Sequence, residues 1–329
     1  MAKYMKTEEG YINIPVSFKP SGKSYLTFSS LNSFTLAVYD KNKHWNGIIE
    51  YFASNNTWIT WDGTSALSAV ADDGEYVLYL RGIGNTVISC GIYDYRWILT
   101  GSNIACIGNI ENLLDYATVE SGGHPIMANS CYSYMFIDCT SLTQAPNLPA
   151  TTLANSCYSY MFSNCTSLTQ APNLPATTLA NHCYNGMFRS CTSLTQVPNL
   201  PATTLANSCY SGMFIDCTSL KFSSTQSDEY TQEYRIPSFG DGVEAVNSLF
   251  EMFTSTGGTF TKKPEINTTY YLSSDNMIVR GNEIATLNGY VKSMIDTSEY
   301  IIPSSTPNSS KKFKITVDDS GAISATEII

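Results

Sequence analysis

Hydrophobic and polar positions follow two different rhythms along the chain. Up to about residue 100, apolar and polar residues alternate in short runs that are separated by turn residues such as Asp72–Gly74. This alternation is typical of half-buried β-strands. The runs are "INIPVSF", "FTLAVYD", "GIIEYFA", "TWITWDG", "EYVLYLRG" and "TVISCGIY". Short strands at this spacing predict an all-β, sandwich-like domain over residues 1–102.

Beyond that region the chain repeats itself with a period of 26 residues. The sequence "CYSYMFIDCTSLTQAPNLPATTLANS" begins at Cys131, and close copies begin at Cys157, Cys183 and Cys209. A later segment, "SLFEMF" at Ser248–Phe253, matches "CYSGMF" at an offset of 39, one and a half periods. It predicts a last copy after an enlarged loop. Periods of this length are typical of stacked repeat architectures.

Each copy divides into a predicted helix and a predicted strand. "ANSCYSYMFIDC" resembles a short helix, and "SLTQAP" resembles a short strand that ends at Pro146, which has no N–H to donate. The sequence therefore predicts an α/β leucine-rich-repeat solenoid over residues 103–275, with degenerate caps and one strand and one helix per copy.

The copies also differ from one another in an orderly way. On a helical wheel of 100° per residue, the positions that are identical in all four copies share one arc and are predicted to be buried. In the first copy they are Cys131, Tyr132, Met135, Phe136 and Cys139. The remaining positions vary and are predicted to face water; they are Ser130, Ser133, Tyr134, Ile137 and Asp138.

The last part of the chain, residues 276–329, is predicted to form a small tail. "NEIATLNGYVKSMID" has a helical pattern, and "KKFKITVDDSGAISATEII" resembles a β-hairpin with its turn at Asp318–Gly321.

Charge and hydropathy exclude several kinds of partner. The 329 residues carry a net charge of −10 with only 18 Lys and Arg, which are not clustered, so we expect no nucleic-acid binding. No run approaches the roughly 20 apolar residues of a membrane helix, so we expect no membrane insertion. The N-terminal "MAKYMKTEEGYINIPV" lacks the apolar core of a secretory signal. Because of this, we expect that the protein either stays in the cytosol or leaves the cell without a cleaved signal, as a phage protein does when the particle is assembled and the host is lysed.

The cysteines are interpreted as small buried residues rather than as a site. Eight of the ten lie in two rows with the 26-residue period: Cys131, Cys157, Cys183 and Cys209, and Cys139, Cys165, Cys191 and Cys217. Their spacing within a copy is not that of a zinc site, and the three histidines do not recur in register. No Ser-His-Asp or Cys-His set can be assembled, so we expect no enzymatic activity, no catalytic residue, no metal and no cofactor.

Repetition in register also places equal side chains in rows on the surface. The candidate ligand-binding residues are two strand rows and one tyrosine pair: Thr143, Thr169 and Thr195; Gln144, Gln170 and Gln196; Tyr134 and Tyr160. Hydroxyl, amide and phenol groups at a regular spacing suit a repeating polymer such as a polysaccharide. The alternative is that these rows are merely the soluble faces of a spacer, since Thr also favours strands.

The motif "MFxxCTSLTQAPxLPATTLAxxCYxxMF" resembles the BspA-like leucine-rich repeats found in surface proteins of gut anaerobic bacteria and their phages. The resemblance covers about residues 103–275 and implies a right-handed solenoid with a role in adhesion or host contact, without catalytic residues. Ala145 and Pro146 depart from the longer aliphatic strands of other leucine-rich families. The ending "SSTPNSSKKFKITVDDSGAISATEII" is similar to the C-terminal ends of phage fibre proteins.

These observations lead to two functional hypotheses. The first is a non-enzymatic structural protein of a phage virion, a fibre or surface appendage that is assembled in the host cytoplasm. Its expected partners are other virion proteins, further copies of itself and host surface polysaccharide. The second is a leucine-rich-repeat adhesin on a bacterial cell surface.

Overall fold

The structure is a computed structural model that describes residues 3–7, 10–14, 18–21, 25–89, 91–237, 245–279, 300–303, 312–317 and 323–328. The chain divides into two compact units, Met1–Val279 and Arg280–Ile329. Side chains are described only within the first unit, from residue 18 onward.

Most of the regular secondary structure among the described residues consists of β-strands. Those before the repeats are β1 (Lys3–Thr7), β2 (Gly10–Ile14), β3 (Leu26–Ser30), β4 (Thr35–Val38), β5 (Ile48–Ala53), β6 (Thr57–Trp61), β7 (Leu67–Ser68), β8 (Val70–Asp72), β9 (Glu75–Ile83), β10 (Trp97–Thr100) and β11 (Ile104–Ile107). Those within and after the repeats are β12 (Leu142–Gln144), β13 (Gln196–Pro198), β14 (Lys221–Ser223), β15 (Tyr230–Arg235), β16 (Gly257–Gly258), β17 (Thr269–Ser273) and β18 (Met277–Val279). The second unit contains β19 (Tyr300–Pro303), β20 (Lys312–Val317) and β21 (Ile323–Ile328).

Two sheets contain all but two of the strands before the repeats, and the remaining two, β1 and β2, form a separate antiparallel pair. The larger has the order β12-β11-β3-β9-β5-β6 with β8 also paired to β9, and the smaller has the order β10-β4-β7. The strands of these sheets occupy four of the alternating runs, because a period of two places every second side chain in the core. The run "TVISCGIY" is different: its described residues form bends and a turn.

Helix is scarce in the described part of the chain. It contains one α-helix, α1 (Asn112–Glu120), and one 3-10 helix, Tyr93–Tyr95. Helix α1 is interrupted at Asp115, whose backbone is extended (φ −154°, ψ 100°). The prediction of an α/β leucine-rich-repeat solenoid with one helix per copy is therefore wrong.

Instead of a helix, each copy contains a run of tight turns, which we call a rung. The rungs are residues 130–139, 156–165, 182–191 and 208–217, followed by a last rung at 247–256. Along a rung, alternate N–H groups donate to the carbonyl three residues earlier, as from Met135 to Tyr132 (3.2 Å). The other N–H groups donate to the next copy, as from Tyr132 to the Cys157 carbonyl (2.8 Å). In an α-helix, all of these N–H groups would bond within the same segment.

The backbone of a rung explains why it cannot be helical. Every fourth residue has a positive φ: in the first rung these residues are Ser130 (58°), Tyr134 (62°) and Asp138 (63°). A left-handed residue ends an α-helix, and Asn, Asp and Gly tolerate this conformation best. Two of the three equivalents of Asp138, Asn164 and Asp216, fit that requirement, whereas the third is Ser190.

The predicted outward face is also wrong in part. Ser133 and Ile137 were expected to face water, yet only 2% and 8% of their surfaces are exposed. Only the left-handed positions of the first rung escape burial, so the repeat along the rung is four residues rather than 3.6. The positions that are identical in all copies are buried, as predicted.

The rungs stack in register, and their side chains form continuous columns in the core. Tyr132 and Tyr158 lie with ring centroids 5.6 Å apart and planes 5° apart, and Phe136 and Phe162 lie 5.7 Å and 7° apart. The column reaches the sheets before the repeats, where Trp97 meets Phe136 edge-on at 6.1 Å. One apolar core therefore runs from the N-terminal sheets through all the rungs.

The last rung confirms the predicted offset of 39 residues. The Tyr210 N–H donates to the Ser248 carbonyl (2.9 Å), and the Phe214 N–H donates to the Met252 carbonyl (3.1 Å). The inserted loop supplies β14 and β15 to a sheet of order β15-β17-β14-β16. Parallel pairing of β13 with β18 adds a two-stranded sheet.

In the second unit, β19, β20 and β21 form an antiparallel sheet in that order. The predicted C-terminal hairpin is confirmed, since β20 pairs with β21 from Lys312–Ile328 to Val317–Ile323. The predicted turn at Asp318–Gly321 and the predicted helix "NEIATLNGYVKSMID" lie outside the described residues.

Replacing Cys157 with Asp tests the burial of the rungs. Its side chain is fully buried in the column, so the variant would place an unpaired carboxylate in the core. We expect a loss of about 3 kcal/mol or more in the free energy of unfolding, measured by urea denaturation. Thr177→Asp, at an exposed position of the same stack, is the matched control and should change it by less than about 0.5 kcal/mol. Equal losses in the two variants would contradict the buried column.

Candidate ligand-binding surface

The tyrosine pair that the sequence singled out does come together. The rings of Tyr134 and Tyr160 are parallel within 1°, with centroids 5.2 Å apart, and both side chains are half-buried. Both residues occupy left-handed positions, none of which is fully buried in the first two rungs. Burial raises the pKa of the Tyr134 phenol, which therefore stays protonated at neutral pH.

Residues from the N-terminal region, outside its strands, extend this pair. The ring of Tyr93 meets Tyr134 edge-on at 6.3 Å, and its hydroxyl donates to Asp138. The Arg96 guanidinium lies 4.0 Å from the Tyr93 ring centroid and 3.6 Å from that of Tyr39. We call the set of Tyr39, Tyr93, Arg96, Tyr134, Asp138 and Tyr160 the tyrosine ledge.

Polar groups fix the geometry of the ledge. Arg96 Nε lies 3.8 Å from Asp138 Oδ2, and Asn164 Nδ2 donates to Asp138 Oδ1 at 2.9 Å. The hydrogen bond to the Asp138 carboxylate raises the pKa of Tyr93, because it favours the protonated phenol. Tyr39 and Tyr93 nevertheless remain 47% and 44% exposed, so the ledge offers aromatic surface to solvent.

The threonine and glutamine rows lie on a different part of each copy, at the strands. Gln170 and Gln196 form a parallel bridge, and both are half-buried. Part of the threonine row is already engaged: the Thr195 hydroxyl donates to the Thr169 carbonyl (3.3 Å) and the Thr143 hydroxyl to the Ile104 carbonyl (3.2 Å). Thr143 and Gln144 belong to β12, which pairs with β11. The rows therefore form, but the Thr143 and Thr195 hydroxyl groups already donate to main-chain carbonyl groups, which leaves them less available to a ligand.

Sequence reasoning missed two surface features. The ledge residues Tyr39, Tyr93 and Arg96 come from the N-terminal region, where neither "FTLAVYD" nor "GIYDYRW" gave a sign that it would meet the rungs. A second row consists of the exposed pairs in "PATTLAN", beginning at Thr151 and Thr152 beside a pocket of about 330 Å³ that Glu111 and His124 also line. The exact recurrence of "TT" in three copies was the signal that could have identified it.

The described cysteines show no sign of a reactive site. Nine of the ten are described, and all nine are buried. Burial raises the pKa of Cys139, Cys191 and Cys209 from 9.0 to about 12, so these thiols are poor nucleophiles at neutral pH. Within the described residues, no cluster of three or more His, Cys, Asp or Glu side chains could hold a metal ion. None of the described helices is long and apolar enough to cross a bilayer.

The comparisons with known proteins give no match: no family model, no curated protein and no solved structure is similar to this chain.

Gly186 tests how the ledge is supported. A Cβ atom at this position would lie 2.4 Å from Cε1 of Tyr160, so we expect Gly186→Ala to displace that ring. Gly212→Ala is the matched control, because φ is 58° at Gly186 and 60° at Gly212, so the backbone penalty is the same. Its Cβ would meet only the flexible side chain of Ile215, with the nearest atom, Cδ1, at 3.0 Å. We expect Gly186→Ala to lose about 1 kcal/mol more unfolding free energy than the control. Equal losses would contradict packing of Tyr160 on Gly186.

The buried thiols predict an alkaline limit to stability. Their pKa values are raised in the folded state, so the unfolded chain loses protons first as the pH rises above 9. We expect the unfolding free energy to be constant with respect to these groups below pH 9 and to fall between about pH 9 and 12. The same thiols should react with a disulfide reagent at pH 8 only after denaturation. Rapid labelling of the native protein would contradict their burial.

Proposed function

We propose that this chain is a non-enzymatic structural protein of a phage particle that binds host-surface polysaccharide on its tyrosine ledge. The observation that supports binding is the ledge itself, in which exposed aromatic rings surround a charged and hydrogen-bonded centre at Arg96 and Asp138. Sugar rings present apolar C–H faces that pack on aromatic rings, and their hydroxyl groups bond to carboxylate, amide and guanidinium groups.

The stack suits a polymer better than a single sugar. Tyr134 and Tyr160 repeat the same side chain at the rung spacing, and the exposed threonine pairs repeat alongside the same rungs. A ligand with its own regular repeat can contact several rungs at once, which raises its overall affinity without any strong single contact. The rigidity of the ledge helps too, because its rings are already held in place before the ligand arrives.

Placement in a virion rests on the sequence. The support is the similarity of the C-terminal ending to phage fibre proteins, together with the repeat layout. The test is mass spectrometry of phage particles purified from the producing culture, in which we expect to find peptides of this chain. If the chain were absent from the particles and recovered instead from bacterial envelopes, the virion proposal would be overturned in favour of the cell-surface adhesin.

Glycan binding is tested on a glycan array with the full chain, followed by calorimetry on the best ligand. Tyr39→Ala combined with Tyr160→Ala should weaken the Kd about ten-fold or more, since each truncation removes aromatic contact area. Tyr271→Ala, a half-buried tyrosine outside the ledge, should leave the Kd unchanged. No binding by the unaltered chain would identify the stack as a spacer, and equal effects of both variants would exclude the ledge as the site.

A further inference from the structure

The main-chain hydrogen bonds that join one rung to the next all point in one direction along the stack. Where two rungs meet, which we call a joint, the N–H groups of the earlier rung donate to the carbonyl groups of the later rung. At the strands, by contrast, some bonds run the other way, as from the Thr177 N–H to the Thr151 carbonyl (3.0 Å). Between the fourth and last rungs, the Gly212 N–H donates to the Phe250 carbonyl (2.7 Å), and the Asp216 N–H donates to the Thr254 carbonyl (3.0 Å). Bonds aligned in this way add their dipoles, as peptide groups do along a helix, and leave the donor end positive.

The last rung has the same donors, but the described part of the chain contains no acceptor for them. We call this row of five N–H groups the donor edge; it consists of Asn247, Leu249, Glu251, Phe253 and Ser255. The alternate N–H groups of this rung are bonded within it, as from Met252 to Leu249 (3.2 Å). The donor edge is therefore the continuation of a pattern that every earlier rung completes.

The opposite end of the stack is closed by the chain itself. There the Ile88 N–H donates to the Cys131 carbonyl (2.9 Å), the Trp97 N–H to Met135 (2.8 Å) and the Ser89 hydroxyl to Ser133 (2.6 Å). The N-terminal region thus supplies donors to the acceptor end, whereas nothing equivalent supplies acceptors to the donor edge within the described residues.

The surroundings of the donor edge also differ from those of earlier rungs. Val246 is 60% exposed and Phe250 is 48% exposed, whereas their equivalents one copy earlier are the polar residues Asn207 and Ser211. Asn247 and Leu249 line a pocket of about 550 Å³ together with residues 263–266, which include Lys263 and Glu265. Exposed apolar side chains beside unpaired main-chain donors are typical of an interface.

We infer that the donor edge docks a polypeptide segment of a partner protein, which adds one more rung by presenting main-chain carbonyl oxygens at alternate residues. Two copies of this chain cannot pair edge to edge about a two-fold axis, because donors would then face donors. They cannot stack head to tail through their rungs either, because the acceptor end already accepts hydrogen bonds from Ile88, Ser89 and Trp97. A polypeptide supplies both the acceptors and the apolar side chains that would cover Val246 and Phe250. This inference goes beyond glycan binding and does not depend on it.

Amide hydrogen exchange of the full chain, resolved by NMR, tests the docking. The probe is a synthetic peptide of residues 157–182, a complete copy whose carbonyl groups already serve as acceptors for the first rung. In the chain alone, the amides of Leu249 and Phe253 should exchange much faster than those of Tyr210 and Phe214, their bonded equivalents. The peptide should slow the donor-edge amides about ten-fold or more, which corresponds to about 1.4 kcal/mol. A peptide of the same composition in scrambled order should not.

Two variants separate docking from a general effect on folding. Phe250→Asp places a charge beside the donor edge at an exposed position and should abolish the slowing by the peptide. Ser211→Asp makes the same change one rung earlier, where the donors are already bonded, and should preserve it. The proposal is overturned if the donor-edge amides are protected in the chain alone, if their protection depends on protein concentration as in self-association, if the peptide has no effect at millimolar concentration, or if both variants behave alike.

Discussion

The main-chain hydrogen bond between successive copies is the constraint on which the rest of the molecule depends. Each rung must turn every second N–H group toward the next copy, and a left-handed residue at every fourth position makes that possible. The remaining N–H groups bond within the rung, so the buried backbone is satisfied without a helix. A common backbone geometry follows from this arrangement, because each rung must match the carbonyl positions of its neighbour.

Side-chain packing follows from the backbone match. Equal residues lie directly above one another, so tyrosine stacks on tyrosine and phenylalanine on phenylalanine throughout the core. The cysteines fill the spaces that a larger side chain would overpack, and their thiols reach neighbouring carbonyls, as Cys165 does toward Phe136 (3.1 Å). The tyrosine ledge arises in the same way, but at left-handed positions that lie outside the core.

The sequence was a good guide to what is repeated and a poor guide to its local geometry. Buried positions such as Met135 and Phe136 could be predicted, because invariance among copies reports burial whatever the backbone does. The helix could not be excluded by periodicity, since 3.6 and four residues per turn diverge by only about 80° over eight steps. Asp, Asn or Gly at some of these fourth positions, such as Asp138, Asn164 and Gly186, was the sign of a left-handed backbone. The ledge could not be predicted in full, because Tyr39 and Arg96 join it only through tertiary contact.

The equivalence of the joints has a consequence for how such a protein changes over generations. Donors on one side of a copy match acceptors on the other side of any copy, so the gain or loss of one 26-residue unit leaves every remaining joint intact. The closed N-terminal end and the last rung would keep their own contacts in a longer or shorter stack. The number of 26-residue copies can therefore change by mutation, one copy at a time. Such a change leaves the residues at the two ends and on the surface of the stack as they are.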